Sequence, residues 1–302
     1  MSNPAQSPTP PTSTASTARR IDLTRKLRWR SIFSNGLDAL VAVLTCAAIV
    51  PLISVIYMVL ARGAVNFRFS MLWELPPAAG MTGGGFGNAL VGTLLLVGIG
   101  SLVSVPIGIL TAIFLTEYSR GSKSARAIRF SAKILSGLPS ILAGVFIFGV
   151  LVLTTKTFSV IAGGLALGIL MLPIVILATE EALLRVPRFL REASLALGAN
   201  QTQTVLNITL PTAGPAILTG VMLAIARAAG ETAPVIFTAL TTPYWIKSLT
   251  EPTASMSVLI YNFATVPYDN LINMAWSASF ILILIVLVTN IISHFVVNRS
   301  KP

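Results

Sequence analysis

Two ionisable residues, Arg227 and Glu231, lie four positions apart within a long apolar stretch of the 302-residue sequence. That spacing places both side chains on one face of a helix, within reach of an ion pair. A guanidinium presents planar, bidentate N–H donors that suit a tetrahedral oxyanion. If the oxyanion carries a proton, a nearby carboxylate can accept a hydrogen bond from it. Hydrogen phosphate carries that proton at neutral pH, whereas sulfate does not. The pair therefore indicates a polar site suited to phosphate; the alternative is a structural ion pair between helices.

The composition places this pair in a membrane protein. Hydrophobic residues make up 54% of the chain and charged residues only 10%, against about 25% charged residues in a soluble domain. This excludes a cytosolic enzyme and a disordered protein, and a single cysteine, Cys46, excludes a disulfide scaffold. We expect an all-α polytopic membrane protein with six transmembrane helices, because six apolar stretches reach about 20 residues. They lie near 37–61, 88–114, 134–154, 159–179, 213–240 and 275–297.

Details within these stretches predict how the helices pack. The third and fourth stretches are separated by only four residues, which predicts either a tight hairpin or a re-entrant pair. Small residues at four-residue steps, Gly164 and Gly168 in one stretch and Gly220, Ala224 and Ala228 in another, predict close helix approach. Arg227 falls near the middle of the fifth stretch, at the expected bilayer midplane. An arginine at that depth raises the free energy of membrane insertion by about 2.5–3.5 kcal/mol, which favours a functional role.

Basic residues predict the orientation. With the amino terminus inside, sixteen of the lysines and arginines fall on inner segments and four on outer ones, which places both termini in the cytoplasm. The net charge of +11 then lies beside anionic membrane lipid, and a nucleic-acid partner is not needed to explain it. We divide the chain into a disordered Ser/Thr/Pro tail with a basic juxtamembrane segment (1–36), a transmembrane domain (37–297) and a carboxyl-terminal tail (298–302).

The longest cytoplasmic loop between spans, 180–211, carries a second pattern. Its helix-compatible residues, a glycine able to turn and a second helix ending near Pro211 predict a helix–turn–helix on the membrane surface. Such an element would present a face to a soluble partner; an ordinary solvated loop is the alternative. The residues of the pattern are Glu192, Ala193, Ser194, Gly198, Ile208, Leu210 and Pro211.

This spacing resembles the EAA loop of binding-protein-dependent ABC importer permeases, with Ser194 where alanine is usual. Two further segments, 137–146 and 227–239, are similar to the phosphate permeases of that superfamily, the PstA and PstC pair, and a third, 259–276, is similar to the A-type subunit. The resemblance implies a MetI-like all-helical permease in the bacterial inner membrane. It also implies that the loop docks on an ATPase, and that the partners are a PstC-like second permease, two copies of that P-loop ATPase and an extracytoplasmic phosphate-binding protein.

Motifs for chemistry within the chain itself are missing from the sequence. It contains no G-x-x-x-x-G-K-[ST] loop and no H-E-x-x-H pair, so we expect neither ATP hydrolysis, a metal site nor another cofactor in this chain. No nucleophile–base arrangement is visible, which disfavours a membrane hydrolase. The alternatives that stay open are a permease for another oxyanion, such as sulfate or molybdate, and a channel or ion-coupled secondary carrier that works alone.

Overall fold

The computed structural model describes residues 29–299, and over this range the chain is all-helical, without a strand. The predicted tails lie mostly outside the described residues, which do not include 1–28 or 300–302. The chain divides into two units, one up to Ser54 and one from Val55 onward. The described part of the first unit is most of helix α1 (Trp29–Met58), an apolar helix that contains Pro51.

The second unit holds the helices that position the site. After a π turn at Val59–Gly63, two short helical segments (Ala64–Asn66 and Phe69–Leu72) lead to the next long helix. The helices that follow are α2 (Gly87–Tyr118), α3 (Lys123–Gly137), α4 (Ser140–Thr155), α5 (Val160–Leu184), α6 (Arg188–Ala196), α7 (Gln201–Ala229), α8 (Ala233–Thr238), α9 (Met256–Ala264) and α10 (Asp269–Arg299).

Within the described range, five helices are long and apolar enough to cross a membrane, and the bent pair α3–α4 makes a sixth if it counts as one span. The predicted third span, 134–154, is wrong at its start, because the chain turns by 102° between α3 and α4. Leu138 takes an extended conformation before Pro139, which disfavours helical geometry in the residue that precedes it. Residues 134–137 therefore end α3, an amphipathic helix that buries Ala125 and Ala132.

The connection between α4 and α5 is a tight hairpin. Lys156 ends α4 in the left-handed conformation, with φ +56°. Ser159 then begins α5 by accepting a hydrogen bond at its side-chain oxygen from the Ala162 N–H, at 3.1 Å. This cap satisfies one of the free donors in the first turn of α5.

Helices α2 and α5 form the centre of the core, because glycines let them approach closely. A Cβ at Gly100 would lie 3.0 Å from the Gly164 carbonyl oxygen and 3.1 Å from the Gly168 nitrogen. The predicted small-residue stripe of α5 thus packs against α2. On α7, Gly220 lies against Ala178 of α5, where an added Cβ would come within 2.5 Å of the alanine methyl group.

Helix α5 extends further than the sequence indicated. The predicted cytoplasmic loop begins at residue 180, whereas Glu180 and Glu181 still belong to α5, which ends at Leu184. The side chain of Glu180 is buried and forms an ion pair with Arg129 of α3. Arg129 also donates to the Leu115 carbonyl oxygen of α2 at 3.0 Å. A carboxylate that the surrounding helices neutralise in this way can stay inside the helix bundle.

Candidate functional site

The predicted fifth span, 213–240, is not one helix. Helix α7 ends at Ala229, the chain is non-helical at 230–232, and α8 starts at Ala233. The break lies where Gly230 and Pro234 bracket Glu231, since glycine weakens a helix and proline removes a backbone donor. Ser257 of α9 donates a hydrogen bond to the Glu231 carbonyl oxygen at 2.8 Å, which fixes the position of the break.

Arg227 lies in the last turn of α7 rather than in the middle of a continuous helix. A cation there interacts favourably with the partial negative charge at the carboxyl end of a helix. Its Nε donates to Glu231 Oε1 at 3.4 Å, a long and weak contact, and the Arg227 side chain is 57% exposed while that of Glu231 is 17% exposed. Among the described residues this is the one hydrogen-bond partner of the guanidinium, so its remaining N–H donors are open to a ligand.

The depth of Arg227 follows from the packing of α7 on α5. Gly220 contacts Ala178, which lies six residues before the end of the 25-residue α5. Seven residues further along α7, at about 1.5 Å each, Arg227 reaches a level about 20 Å from that end of α5, which is about 37 Å long. Arg227 is therefore level with the middle of α5, although its own helix ends there.

The opposite face of α7 is apolar. Ile225, Ala226 and Ala229 line a cavity of about 90 Å³ together with mostly apolar residues of α2, α9 and α10. Arg227 does not line this cavity, and it projects from the face of α7 that the described part of the chain leaves open. An exposed guanidinium on that face can bind an anion without any change in the core.

The second predicted pattern, Glu192 to Pro211, forms a helix, a turn and a helix. Helix α6 ends in a Schellman motif, in which Ala199 N donates to Ser194 O at 3.2 Å and Gly198 N to Leu195 O at 3.0 Å. Gly198 has φ +89°, which a side chain with a Cβ rarely adopts. Asn200 then begins α7 with a capping box that includes Gln203. The glycine turn is therefore confirmed.

The expected end of the second helix near Pro211 is wrong. Helix α7 continues past Pro211 as one of the long apolar helices. A π turn at Val205–Thr209 widens the helix directly before Pro211, whose ring and missing N–H would otherwise disturb a regular α-helical turn. Ile208 and Leu210 are half-buried in this segment, and Pro211 is exposed.

The exposed face of α6 combines predicted and unpredicted residues. Glu192, Ala193 and Gly198 are exposed, whereas Ser194 is half-buried and forms a hydrogen bond with Thr204 at 2.9 Å. Three large apolar side chains that we did not single out from the sequence share this exposed surface. They are Phe189, Leu195 and Leu197, the last 90% exposed. In the sequence these three residues belong to an amphipathic stretch. Such a pattern alone does not distinguish a solvent-facing apolar residue from a buried one.

The sequence also did not indicate that Arg191 and Glu117 interact. They form an ion pair in which Arg191 Nη2 lies 2.8 Å from Glu117 Oε1, with side chains only 12% and 8% exposed. The two residues are 74 positions apart, so no local spacing could have linked them. Within the described residues, no group of three or more His, Cys, Asp or Glu side chains could hold a metal ion.

Comparison with known proteins adds an independent observation. Residues 104–302 match the family described as binding-protein-dependent transport system inner membrane component. The phosphate transport system permease protein PstA of Yersinia pestis is 38% identical over 250 residues, covering 83% of this chain and 85% of that protein. The protein PstA 1 of Mycobacterium tuberculosis (strain CDC 1551 / Oshkosh) is 37% identical over 265 residues, covering 84% and 86%.

Solved structures agree on the fold. An inward-facing MetNI methionine ABC transporter chain aligns with a TM-score of 0.63 at 19% identity, over 78% of this chain and all of that one. A chain of a bacterial alginate ABC transporter aligns with a TM-score of 0.63 at 15% identity, over 91% of this chain and 99% of that one. At these identities the alignments show the fold alone, which is that of MetI-like ABC transporter permeases, as the sequence predicted.

Proposed function

The chain belongs to the binding-protein-dependent transport system inner membrane components, among the PstA phosphate transport permeases, and from this we propose that it is the subunit of an ATP-driven importer that conducts inorganic phosphate into the cytoplasm. The observation that carries the proposal is the exposed guanidinium of Arg227, held halfway along the helix bundle beside a break in α7. Ionisable residues inside a membrane commonly mark the path of an ion, and a guanidinium at mid-depth can pair with an anion there.

Arg227 offers phosphate more than a single charge. A guanidinium has five N–H donors, and the Glu231 contact occupies one of them, so two parallel donors stay available for two phosphate oxygens. Glu231 repels a fully ionised anion but accepts a hydrogen bond from the proton of hydrogen phosphate. Together the two side chains favour a protonated tetrahedral oxyanion over sulfate. The bond from Ser257 to the Glu231 backbone keeps the carboxylate at this position.

In this proposal, the ATPase acts on the chain through the exposed surface of α6. The exposed apolar residues Phe189, Leu195 and Leu197 dock in a groove of a separate ATPase subunit, with Glu192 and Ala193 on the same surface. When two ATPase subunits bind ATP and close together, they displace α6. The bundle then opens Arg227 alternately to the two sides of the membrane.

This function implies an orientation in the membrane and a set of partner proteins. The α6 end of the bundle and both termini face the cytoplasm of a bacterial cell, and the chain lies in the inner membrane. A second, PstC-like permease covers the open face of α7, two copies of a P-loop ATPase bind at the cytoplasmic side, and a phosphate-binding protein delivers the cargo from outside. The relatives of this chain are transport permeases, not enzymes; ATP is hydrolysed in the partner subunits.

Uptake measurements in cells test the proposed cargo. Cells that express this chain with its cognate permease, ATPase and binding protein should take up labelled phosphate, and deletion of this chain alone should abolish that uptake. Labelled sulfate should not enter by this route. Sulfate uptake that depends on the chain would instead support an oxyanion permease of another specificity, and transport by the purified chain alone, without ATP, would support a secondary carrier.

A further inference from the structure

The buried ion pair between Glu117 and Arg191 joins two elements that the chain does not connect directly. Glu117 lies in a π turn, Phe114–Tyr118, at the end of α2. Arg191 lies on α6, and both its Nε and its Nη2 donate to Glu117 Oε1, at 3.2 and 2.8 Å. Because both side chains are almost fully buried, water competes little for these bonds, and their geometry is well defined.

The same guanidinium also holds the end of α5. Arg191 Nη1 donates to the Val186 carbonyl oxygen and Nη2 to the Leu183 carbonyl oxygen, each at 2.8 Å. One side chain of α6 thus contacts the ends of α2 and α5 together. By contrast, the pair of Arg185 and Glu181 near the same place is 72% and 67% exposed and joins two residues of the same helical segment.

Other contacts fix the end of α2 in the same region. Gln201 donates to the Glu117 carbonyl oxygen, and the Tyr118 hydroxyl shares a hydrogen bond with Thr202 at 3.1 Å, which ties α2 to the start of α7. Arg129 ties Leu115 of α2 to α3. The end of α2 is therefore a junction (Phe114–Tyr118) at which α3, α6 and α7 all attach.

This junction changes how a displacement of α6 spreads. By chain connectivity, α6 can pull only on α5, through 185–187, and on α7, through the turn at Gly198. The ion pair adds an attachment to α2, which packs closely on α5 through Gly100, Gly164 and Gly168. A movement of α6 thus reaches α2 and α5 as one body.

We propose that Glu117 and Arg191 form a positioning pair that fixes α6 to the end of α2, so that a push on α6 moves α2 and α5 together and opens the path past Arg227. This inference rests on the proposed function, since it specifies how the ATPase acts on the permease. Neither residue contacts the cargo; both act by holding α6 in register with the core.

The test uses the complete transporter, with its partner permease, ATPase and binding protein, in proteoliposomes. Three variants are compared with wild type: Glu117→Gln, Arg191→Gln and the double variant. The matched control is Glu181→Gln, which removes the carboxylate of the exposed pair on helix α5. The readouts are phosphate accumulated per ATP hydrolysed and the amount of ATPase that co-purifies with the chain.

We expect Glu117→Gln to lower the phosphate-to-ATP ratio by about tenfold, within the range by which single residues alter coupling. ATP hydrolysis and co-purification should stay close to wild type, and Glu181→Gln should leave the ratio unchanged. The double variant should have the same phosphate-to-ATP ratio as Arg191→Gln. Once Arg191 is replaced, the ion pair no longer forms, so replacing Glu117 as well removes no further interaction. Should Glu117→Gln not accumulate in the membrane, Arg191→Lys, which keeps the charge but lacks the fork of donors, should show the same uncoupling.

A wild-type ratio in Glu117→Gln would overturn the proposal. Loss of both phosphate uptake and the bound ATPase would also overturn it, because the pair would then only maintain the docking surface. The proposal would fail as well if the double variant had a phosphate-to-ATP ratio reduced by the product of the two single effects. These outcomes differ from failure of the proposed function. In that case the wild-type complex itself would accumulate no phosphate at the expense of ATP.

Discussion

Replacing Arg227 with glutamine distinguishes two roles for this residue, namely binding of the cargo and a structural ion pair with Glu231. With the described residues the guanidinium makes one hydrogen bond, to Glu231 at 3.4 Å, and its side chain is 57% exposed. An exposed pair of this kind contributes about 0–1 kcal/mol, and the position at the end of α7 adds about 0.3–1 kcal/mol. The expected loss of stability is therefore about 1 kcal/mol. For a buried ion pair that holds helices together, removal of one partner would cost about 3–5 kcal/mol.

The assay combines thermal unfolding of the purified complex with phosphate uptake in proteoliposomes. At about 2–4 °C per kcal/mol, the value for domains of about 150–250 residues, Arg227→Gln should lower Tm by only a few degrees while abolishing phosphate uptake. Arg62→Gln is the control, because it removes another exposed arginine, whose guanidinium lies 5.6 Å from the centre of the Trp276 ring. We expect Arg62→Gln to retain uptake. A fall in Tm of about 10 °C or more with Arg227→Gln, or uptake at the wild-type rate, would refute this reasoning.

Three further substitutions and one control substitution test the turn at Gly198, the packing of α2 and the docking surface of α6. Gly198→Val should uncouple ATP hydrolysis from uptake while the chain still inserts, since φ +89° costs about 1–2 kcal/mol with a side chain present; unchanged uptake per ATP would contradict the role of this turn. Gly92→Ala should reduce the amount of folded chain in membranes, because its methyl group would lie 1.9 Å from the Ala254 carbonyl oxygen and overpacking costs about 1–3 kcal/mol or more; normal accumulation would show that this contact can relax. Gly214→Ala, which adds a methyl group in open space, is the control for both and should behave as wild type. Leu197→Glu should abolish co-purification of the ATPase with little effect on Tm, because Leu197 is 90% exposed; a complex that stays intact would mean that the ATPase docks elsewhere.

The sequence predicted the fold class and most of the helices. Long apolar runs and scarce charge require a membrane-spanning helical bundle, and Gly164 and Gly168 do mark a close approach of two helices, α2 and α5. The turn at Gly198 was also visible in the sequence, because a glycine after a helix-compatible stretch commonly ends that helix. Each of these features depends on local composition or spacing, which a single sequence contains.

The errors concern features that depend on neighbouring helices. The apolar run at 213–240 continues through the break after Ala229, so hydropathy does not show where the helix ends. Helix α5 includes Glu180 because Arg129 of another helix neutralises it, and α7 passes through Pro211 because a π turn precedes it. The pair of Glu117 and Arg191 joins residues 74 positions apart, and only the three-dimensional arrangement brings them together.

The central claim is that this chain conducts phosphate when a separate ATPase drives it. Its most direct test is phosphate accumulation in proteoliposomes that contain the complete transporter, measured with ATP, without ATP, and with ATP but without the ATPase subunits. We predict accumulation against a gradient in the first condition alone, unaffected by an excess of sulfate. Equal phosphate entry in all three conditions would contradict the claim.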